Sequence, residues 1–297
     1  HGGGFGNSFT PLSITEAMPE QWDTVITPRK HLFDLNLREV WRYKDLLTLF
    51  VRRNVVAEYK QTILGPLWYF IQPLLTTIMF TVVFGNLAGI STDGIPPMLF
   101  YLAGITNWNY FAECLNKTAT TFKDNQNIFG KVYFPRLVVP LSIVTTSLLK
   151  YSIQLLLFIG FYFYFVLKGV PVQPNATLAL FPLLIIILAG LGLGFGLIFT
   201  SMTTKYRDLV FLLSFGVQLA MYATPVIYPL SEVPDQYQWL AALNPMTAVI
   251  ETFKYGVLGK GTFNWGYLSY SAGFMIVILL AGTAIFNRTE KNFMDTV

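Results

Sequence analysis

Long intervals without a charged residue limit what this chain can fold into more than any other feature of its sequence. The intervals between Lys60 and Asp93 and between Lys168 and Lys205 contain no Asp, Glu, Lys or Arg. Each exceeds the roughly 20 residues that a helix needs to cross about 30 Å of hydrocarbon. Charged residues make up only 12% of the chain, whereas a soluble fold needs a charged and polar shell over its core. The sequence therefore predicts a polytopic membrane protein.

We predict an all-α, polytopic membrane fold with six transmembrane helices. It also has an N-terminal amphipathic interface helix and a short extracytoplasmic helical hairpin between helices five and six. An even number of spans places both termini on the same side of the membrane. The six spans are assigned to residues 65–87, 97–119, 138–167, 178–202, 209–228 and 265–286.

The distribution of basic residues gives the orientation of these spans. Of the 20 Lys and Arg residues, fifteen lie before the first span, after the last span or in the two loops on that same side. Three lie in the opposite loops, namely Lys168, Lys254 and Lys260. Because cytoplasmic loops carry the excess of Lys and Arg, we expect both termini to be cytoplasmic.

The predicted spans also define the organisation of the chain. Residues 1–36 have no apolar core and are expected to form a partly flexible N-terminal cytoplasmic segment, whereas residues 37–60 form the interface helix. Residues 61–288 form the six-helix transmembrane domain, and residues 289–297 form a cytoplasmic tail. Within the domain, residues 229–262 contain apolar stretches too short to span, which predicts a surface-lying or re-entrant hairpin.

Residues 37–60 show apolar side chains at helical spacing with basic residues between them. Leu37, Val40, Trp41, Phe50 and Val51 belong to this apolar pattern. Such a helix is typical of elements that lie in the plane of the membrane interface. An ordinary cytoplasmic helix packed on protein would show the same pattern, and the two placements are compatible with each other.

The residue types and motifs of several enzyme classes are missing from the sequence. There is no G-x-x-x-x-G-K-[ST] loop for a nucleotide, so any ATP must be hydrolysed by a partner. The HGGG start resembles the oxyanion-hole motif of some lipases, but no G-x-S-x-G follows it, and we interpret it as a flexible terminus. The single Cys114 and only two His residues give little support for metal or acid–base chemistry. We predict no catalytic residue, no metal ligand and no cofactor in this chain.

The glycine run at residues 190–196 lies inside an apolar span and follows no strand, so it is not a nucleotide-binding fingerprint. Gly190 and Gly194 are four residues apart, and so are Gly192 and Gly196. Small residues at this spacing allow helices in membranes to approach closely. The run therefore predicts helix–helix packing.

Polar side chains inside predicted spans are candidates for a functional role. Helical spacing places three of them on one face of the first span and three on one face of the fifth, and Trp108 adds an aromatic surface suited to sugar rings. These faces either line a hydrated conduit or make hydrogen bonds between helices. The predicted conduit-lining residues are Tyr69, Gln72, Thr76, Trp108, Ser214, Gln218 and Tyr222.

Lys150 is expected to be the only charge deep within a span, with no obvious carboxylate partner in the membrane. It either snorkels toward the cytoplasmic edge or has a function. The cytoplasmic loop at 122–137 mixes basic, aromatic and proline residues. It is either a simple connector or a segment that docks into a partner.

Several sequence motifs, spread in order over about residues 37–286, resemble the permease subunits of polysaccharide-exporting ABC transporters. They comprise YKQTILGPLW at 59–68 with IQPL at 71–74, KVYFPRL at 131–137, KYRDL at 205–209, ATPVIYP at 223–229 and LNPM at 243–246.

The resemblance implies a homodimer with two copies of a cytoplasmic ABC ATPase subunit, which binds the ATP and Mg²⁺. Such exporters move undecaprenyl-diphosphate-linked O-antigen, or teichoic acid in Gram-positive relatives, outward across the bacterial inner membrane. The chain would contact membrane lipids and this polysaccharide but no nucleic acid. An ABC permease for a lipid, a drug or teichoic acid is an alternative, and a membrane-embedded glycan enzyme is a less favoured one.

The resemblance also implies roles for two groups of residues. Four arginines of the interface helix would attract the lipid diphosphate, although anionic headgroups would explain them equally well. The loop between helices two and three would couple the chain to the ATPase. The two groups are Arg38, Arg42, Arg52 and Arg53 at the interface, and Lys131, Val132, Tyr133, Phe134, Pro135 and Arg136 at the coupling loop.

Overall fold

The computed structural model describes residue 2 and residues 37–294, apart from 61, 130 and 133. Most of the predicted N-terminal segment and the end of the tail therefore lie outside the described residues. Those from 37 onward belong to one structural unit and contain α-helices but no β-strand. The helices are α1 (Leu37–Arg42), α2 (Lys44–Tyr59), α3 (Trp68–Phe80), α4 (Pro97–Thr118), α5 (Thr121–Asp124), α6 (Gln126–Phe129), α7 (Val138–Leu167), α8 (Phe181–Lys205), α9 (Leu209–Tyr222), α10 (Asp235–Leu243), α11 (Pro245–Leu258) and α12 (Trp265–Met294).

Four segments of the described chain are long and apolar enough to cross a membrane. They correspond to four of the six predicted spans, with ends that differ by up to four residues. In the first, a 3₁₀ turn at Gly65–Leu67 and a π-helical segment at Thr81–Leu87 extend α3 at its two ends. The four segments are Gly65–Leu87, Val138–Leu167, Ala176–Lys205 and Trp265–Glu290.

Helix α4 was predicted as a span, but it is not among those four segments. It packs against α3, α7, α8 and α11, and nearly every residue from Leu99 to Phe111 is buried. A helix surrounded by protein does not need a lipid-compatible surface, so it carries polar residues such as Thr106 and Asn107. Its central position explains its lower hydropathy.

Helix α9 is shorter than the predicted span at 209–228. It ends at Tyr222, and 14 residues of α-helix extend only about 21 Å. The chain then turns, because Pro225 cannot donate a backbone hydrogen bond and disfavours helix at the residue before it. The prediction of a continuous helix to residue 228 was wrong.

The glycines of α8 make the close contacts that their spacing predicted. A Cβ atom at Gly194 would lie 3.0 Å from the backbone of Ile278 in α12. On another face, a Cβ atom at Gly196 would lie 2.4 Å from the Cβ of Thr118 in α4. Gly190 and Gly194 therefore pack against α12, whereas Gly192 and Gly196 pack against α4.

Two short helices, α10 and α11, occupy the predicted hairpin at 229–262. Asn244 begins α11, because its side-chain Oδ1 accepts a hydrogen bond from the Met246 N–H at 3.0 Å, and Pro245 occupies the first turn, where no donor is needed. Helix α11 packs against α4, α8 and α12. Only part of the hairpin is therefore at the surface.

Candidate functional site

Helix α2 lies against the body of the protein by one face. The ring of Phe50 is 5.6 Å from that of Phe134, and Arg53 donates a hydrogen bond to Asn125 Oδ1 at 3.2 Å. Burial lowers the pKa of Arg53. Glu58 follows further along the same face. This face joins the predicted interface helix to α7 and to the connection between α4 and α7.

The other face of α2 and its preceding turn are exposed. The predicted helix at 37–60 is interrupted at Tyr43, which separates α1 from α2. Trp41 is 74% exposed, and Arg42 and Arg52 are exposed as well. The side chain of Arg38 lies outside the described residues. Packing on protein is therefore observed, and the exposed face is free for a further contact.

The predicted coupling residues divide into an exposed and a buried group. Lys131 and Val132 are exposed, with Val132 at 58%. Tyr133 lies outside the described residues. The remaining three are buried, namely Phe134, Pro135 and Arg136.

Arg136 connects the predicted coupling loop to the end of α12. Its guanidinium lies 5.2 Å from the centre of the Phe129 ring and donates a hydrogen bond to the backbone oxygen of Glu290 at 3.4 Å. Its Nε is also 3.7 Å from Glu290 Oε1. Arg136 thus fixes the shape of the loop from inside, while Lys131 and Val132 form part of its outer surface.

Four charged side chains meet where α2, α4 and α7 come together, and we name them the charged cluster: Glu58, Glu113, Lys117 and Lys150. Lys150 is 2.6 Å from Glu58 and also pairs with Glu113. Lys117 is 2.9 Å from Glu113 and also pairs with Glu58. Tyr69 of α3 donates a hydrogen bond to Glu58.

The charged cluster corrects the prediction that Lys150, expected to be the only charge deep within a span, has no obvious carboxylate partner in the membrane. Its side chain is only 8% exposed, so it does not snorkel to water. Glu113 and Lys117 lie four residues apart on α4, a spacing visible in the sequence. Glu58 and Lys150 are 92 residues apart, and no local pattern could have paired them.

The charge on Glu58 is maintained by its partners. Burial by itself would raise the pKa of this carboxyl, but hydrogen bonds from Lys117, Lys150 and Tyr69 outweigh it and hold the pKa below its usual range. Hydrogen bonds to an ionised carboxylate favour the charged form. Glu58 is therefore an anion at neutral pH.

The predicted conduit residues do not all share one environment. The hydroxyl of Tyr69 donates a hydrogen bond to Glu58. In contrast, Gln72, Ser214, Gln218 and Tyr222 are exposed. Thr76 is partly exposed and donates to the backbone oxygen of Gln72. Trp108 is buried in the core beside Phe111, with ring centres 5.3 Å apart. The exposed polar residues are thus on α3 and α9, whereas Trp108 is covered by protein.

A second buried ion pair lies in α11, between Glu251 and Lys254. Their charged atoms are 3.8 Å apart. Lys254 Nζ donates to the backbone oxygen of Pro225 at 2.6 Å and lies 3.6 Å from the centre of the Phe100 ring. Burial lowers the pKa of Lys254 and raises that of Glu251. The pair attaches the hairpin to the turn after α9 and to α4.

Comparison of the amino-acid sequence with known proteins identifies a family and several relatives. Residues 45–258 match the family described as ABC-2 type transporter. The chain is 28% identical to the O-antigen export system permease protein RfbA of Klebsiella pneumoniae, over 84% of this chain and 94% of the relative. It is 27% identical to the RfbA of Myxococcus xanthus, over 88% of this chain and 98% of the relative. It is 24% identical to the polysialic acid transport protein KpsM of Escherichia coli, over 82% and 93%.

Proposed function

Because the chain belongs to the ABC-2 type transporter family, we propose that it is the permease subunit of an exporter for undecaprenyl-diphosphate-linked polysaccharide. The observation that carries this proposal is its similarity to proteins named as O-antigen export permeases, which extends over nearly their whole length. The multi-pass character of the chain fits this role, since four segments are apolar enough to span a membrane. We assign it to the bacterial inner membrane.

In this proposal ATP hydrolysis takes place on a partner. Two copies of a cytoplasmic ABC ATPase bind two copies of this chain, and they carry the ATP and Mg²⁺. The exposed Lys131 and Val132 support a contact with the ATPase at the loop between α4 and α7. The buried Arg136 then holds the loop in shape for that contact.

The proposed conduit lies between the two copies and is bordered by α3 and α9. Exposed Gln72, Gln218 and Tyr222 supply hydrogen-bonding and aromatic surface that suits a sugar chain. Arg42 and Arg52 are exposed on the interface helix, where they would meet the lipid diphosphate.

The proposed topology retains six spans with both termini in the cytoplasm. Helix α4 serves as a span surrounded by protein, and α9 crosses only part of the bilayer before the turn at Pro225. The excess of basic residues on the side of the termini supports this orientation. It also places the hairpin of α10 and α11 outside the cytoplasm.

A second candidate substrate is an acidic capsular polysaccharide, which the similarity to a protein named for polysialic acid transport favours. Teichoic acid, a lipid or a drug is a more distant alternative. A strain that lacks this chain distinguishes these candidate substrates by the intermediate that it accumulates. We expect it to lose its surface glycan and to accumulate the lipid-linked form, whose mass spectrum identifies the sugar and the lipid.

Complementation supplies the control for that experiment. The wild-type gene should restore the surface glycan, whereas a variant with Lys131→Glu and Val132→Glu should be produced in normal amount and restore little. A strain with normal surface glycan and no accumulated intermediate would rule out the proposal.

A further inference from the structure

The charged cluster is balanced in charge and draws its members from separate helices. Glu58 comes from α2, Glu113 and Lys117 from α4, and Lys150 from α7. Each lysine contacts both carboxylates. Two positive and two negative charges therefore form one connected unit rather than two independent pairs.

Partial burial makes the four side chains of the charged cluster difficult to separate from one another. The side chains of Glu58 and Glu113 are 26% and 22% exposed, and Lys150 is nearly covered. Removing one partner from a buried ion pair leaves a charge that neither water nor protein compensates. If α2 moved away from α4 and α7, Lys150 would keep Glu113, but Glu58 would lose both lysines.

Among the described residues of α2, Glu58 is the one that forms ion pairs with α4 and α7. The other described acidic residue of α2, Asp45, is exposed. Phe50, Arg53 and Asn54 join the same helix to the connection after α4 and to the start of α7. These contacts are aromatic or polar and neutral on the partner side, whereas Glu58 forms ion pairs with both α4 and α7.

We propose that Glu58 is a positioning residue that links α2 to α4 and α7, so that displacement of the interface helix moves these spans with it. The proposal rests on the proposed function, in which the ATPase displaces α2. Tyr69 extends the link to α3, the first of the helices that border the conduit. A movement at the cytoplasmic surface thereby reaches a conduit helix through one carboxylate.

The first test separates export from ATP hydrolysis in the reconstituted complex of this chain with its ATPase. Glu58→Gln keeps the shape of the side chain but removes its charge. We expect the complex to assemble and hydrolyse ATP at nearly the wild-type rate, while export of lipid-linked glycan falls roughly tenfold, within the usual range of coupling between sites. A purely structural role would instead lower both activities in parallel.

A charge exchange provides the rescue. In the quadruple variant Glu58→Lys, Glu113→Lys, Lys117→Glu and Lys150→Glu, every ion pair of the cluster is kept with its signs reversed, and export should recover most of its loss. The matched control is Glu232→Gln, since Glu232 is an exposed carboxylate remote in sequence from the cluster. Wild-type export by Glu58→Gln, or failure of the exchange to restore it, would overturn the link.

The second test needs no partner and therefore remains informative if the proposed function is wrong. Spin labels at Val56→Cys and Leu149→Cys, both exposed positions, report the distance between α2 and α7 in a Cys114→Ala background. We expect a narrow distance distribution for the wild-type cluster, a broad one for Glu58→Gln and a narrow one again for the exchange. An unchanged distribution in Glu58→Gln would refute the link, whereas failure of the wild type to bind an ATPase would refute only the proposed function.

Discussion

Few charges are available in this chain, and the structure places several of them in its interior. In a poorly hydrated environment such charges persist only when paired or hydrogen bonded. Both the charged cluster and the Glu251–Lys254 pair meet this condition, and each joins helices that are distant in sequence. At the scale of single residues, charge therefore serves to hold helices together.

Lys254→Met should destabilise the protein, because it leaves Glu251 without its positively charged partner and the Pro225 carbonyl oxygen without its hydrogen-bond donor. We expect a loss of about 3 kcal/mol or more in the free energy of unfolding, measured by chemical denaturation in detergent. The double variant with Glu251→Gln should lose less than the sum of the single variants. Lys260→Met, at an exposed position, is the control and should change little.

A water molecule is predicted beside the same pair. Glu251 Oε1 and Thr247 Oγ1 are buried without a hydrogen-bond partner among the described residues. Both residues line a small cavity with about 10 Å³ accessible to the centre of a water molecule, which suffices for one. A high-resolution experimental map should show density there within hydrogen-bonding distance of both oxygens, and a dry cavity would contradict the prediction.

The helices show how far local sequence patterns determine structure. Hydropathy and length placed four spans within four residues, because a membrane-exposed helix needs an apolar surface along its whole length. The bounds of α4 were predicted to within one residue, although its hydropathy does not mark it as a span because it faces protein. The end of α9 was missed because it depends on a turn at Pro225. Local patterns thus predict where helices lie, whereas the burial of α4 by other helices depends on packing.

The two faces of α8 give a prediction at this scale. Gly192→Ala and Gly196→Ala each place a Cβ within 2.6 Å of an α4 side chain, so α4 and α8 must separate. Overpacking of this kind costs about 1–3 kcal/mol, and the apparent melting temperature of the purified protein should fall. Gly160→Ala in α7 meets nothing within 4 Å and should be neutral. Equal stability of all three variants would exclude tight packing of α8 on α4.

At the scale of the whole molecule, α3 and α9 have large apolar side chains at the surface. Met79 of α3 is 59% exposed, and Phe215 of α9 is 59% exposed. Lipid would cover such residues in a monomer, and a second copy of the chain would cover them in the proposed homodimer. The two cases differ in whether these positions approach each other between copies.

Cysteine crosslinking tests the homodimer. In a Cys114→Ala background, Met79→Cys or Phe215→Cys should yield a covalent dimer on oxidation in membranes. Leu156 on α7 is also apolar and 62% exposed, but it lies on neither α3 nor α9, and Leu156→Cys should remain monomeric. Dimer formation at Leu156 alone would indicate a different interface.

The sequence by itself determined that this is a helical membrane protein, where four of its spans lie and which glycines pack closely. It could do so because lipid solvation and helical spacing act over a few turns of a single helix. Only the tertiary structure decided that α4 is surrounded by protein, that Arg136 is internal and that Glu58 meets Lys150. These outcomes depend on how separate helices pack. An ion pair between two helices is set by that packing, because its members are far apart in the sequence.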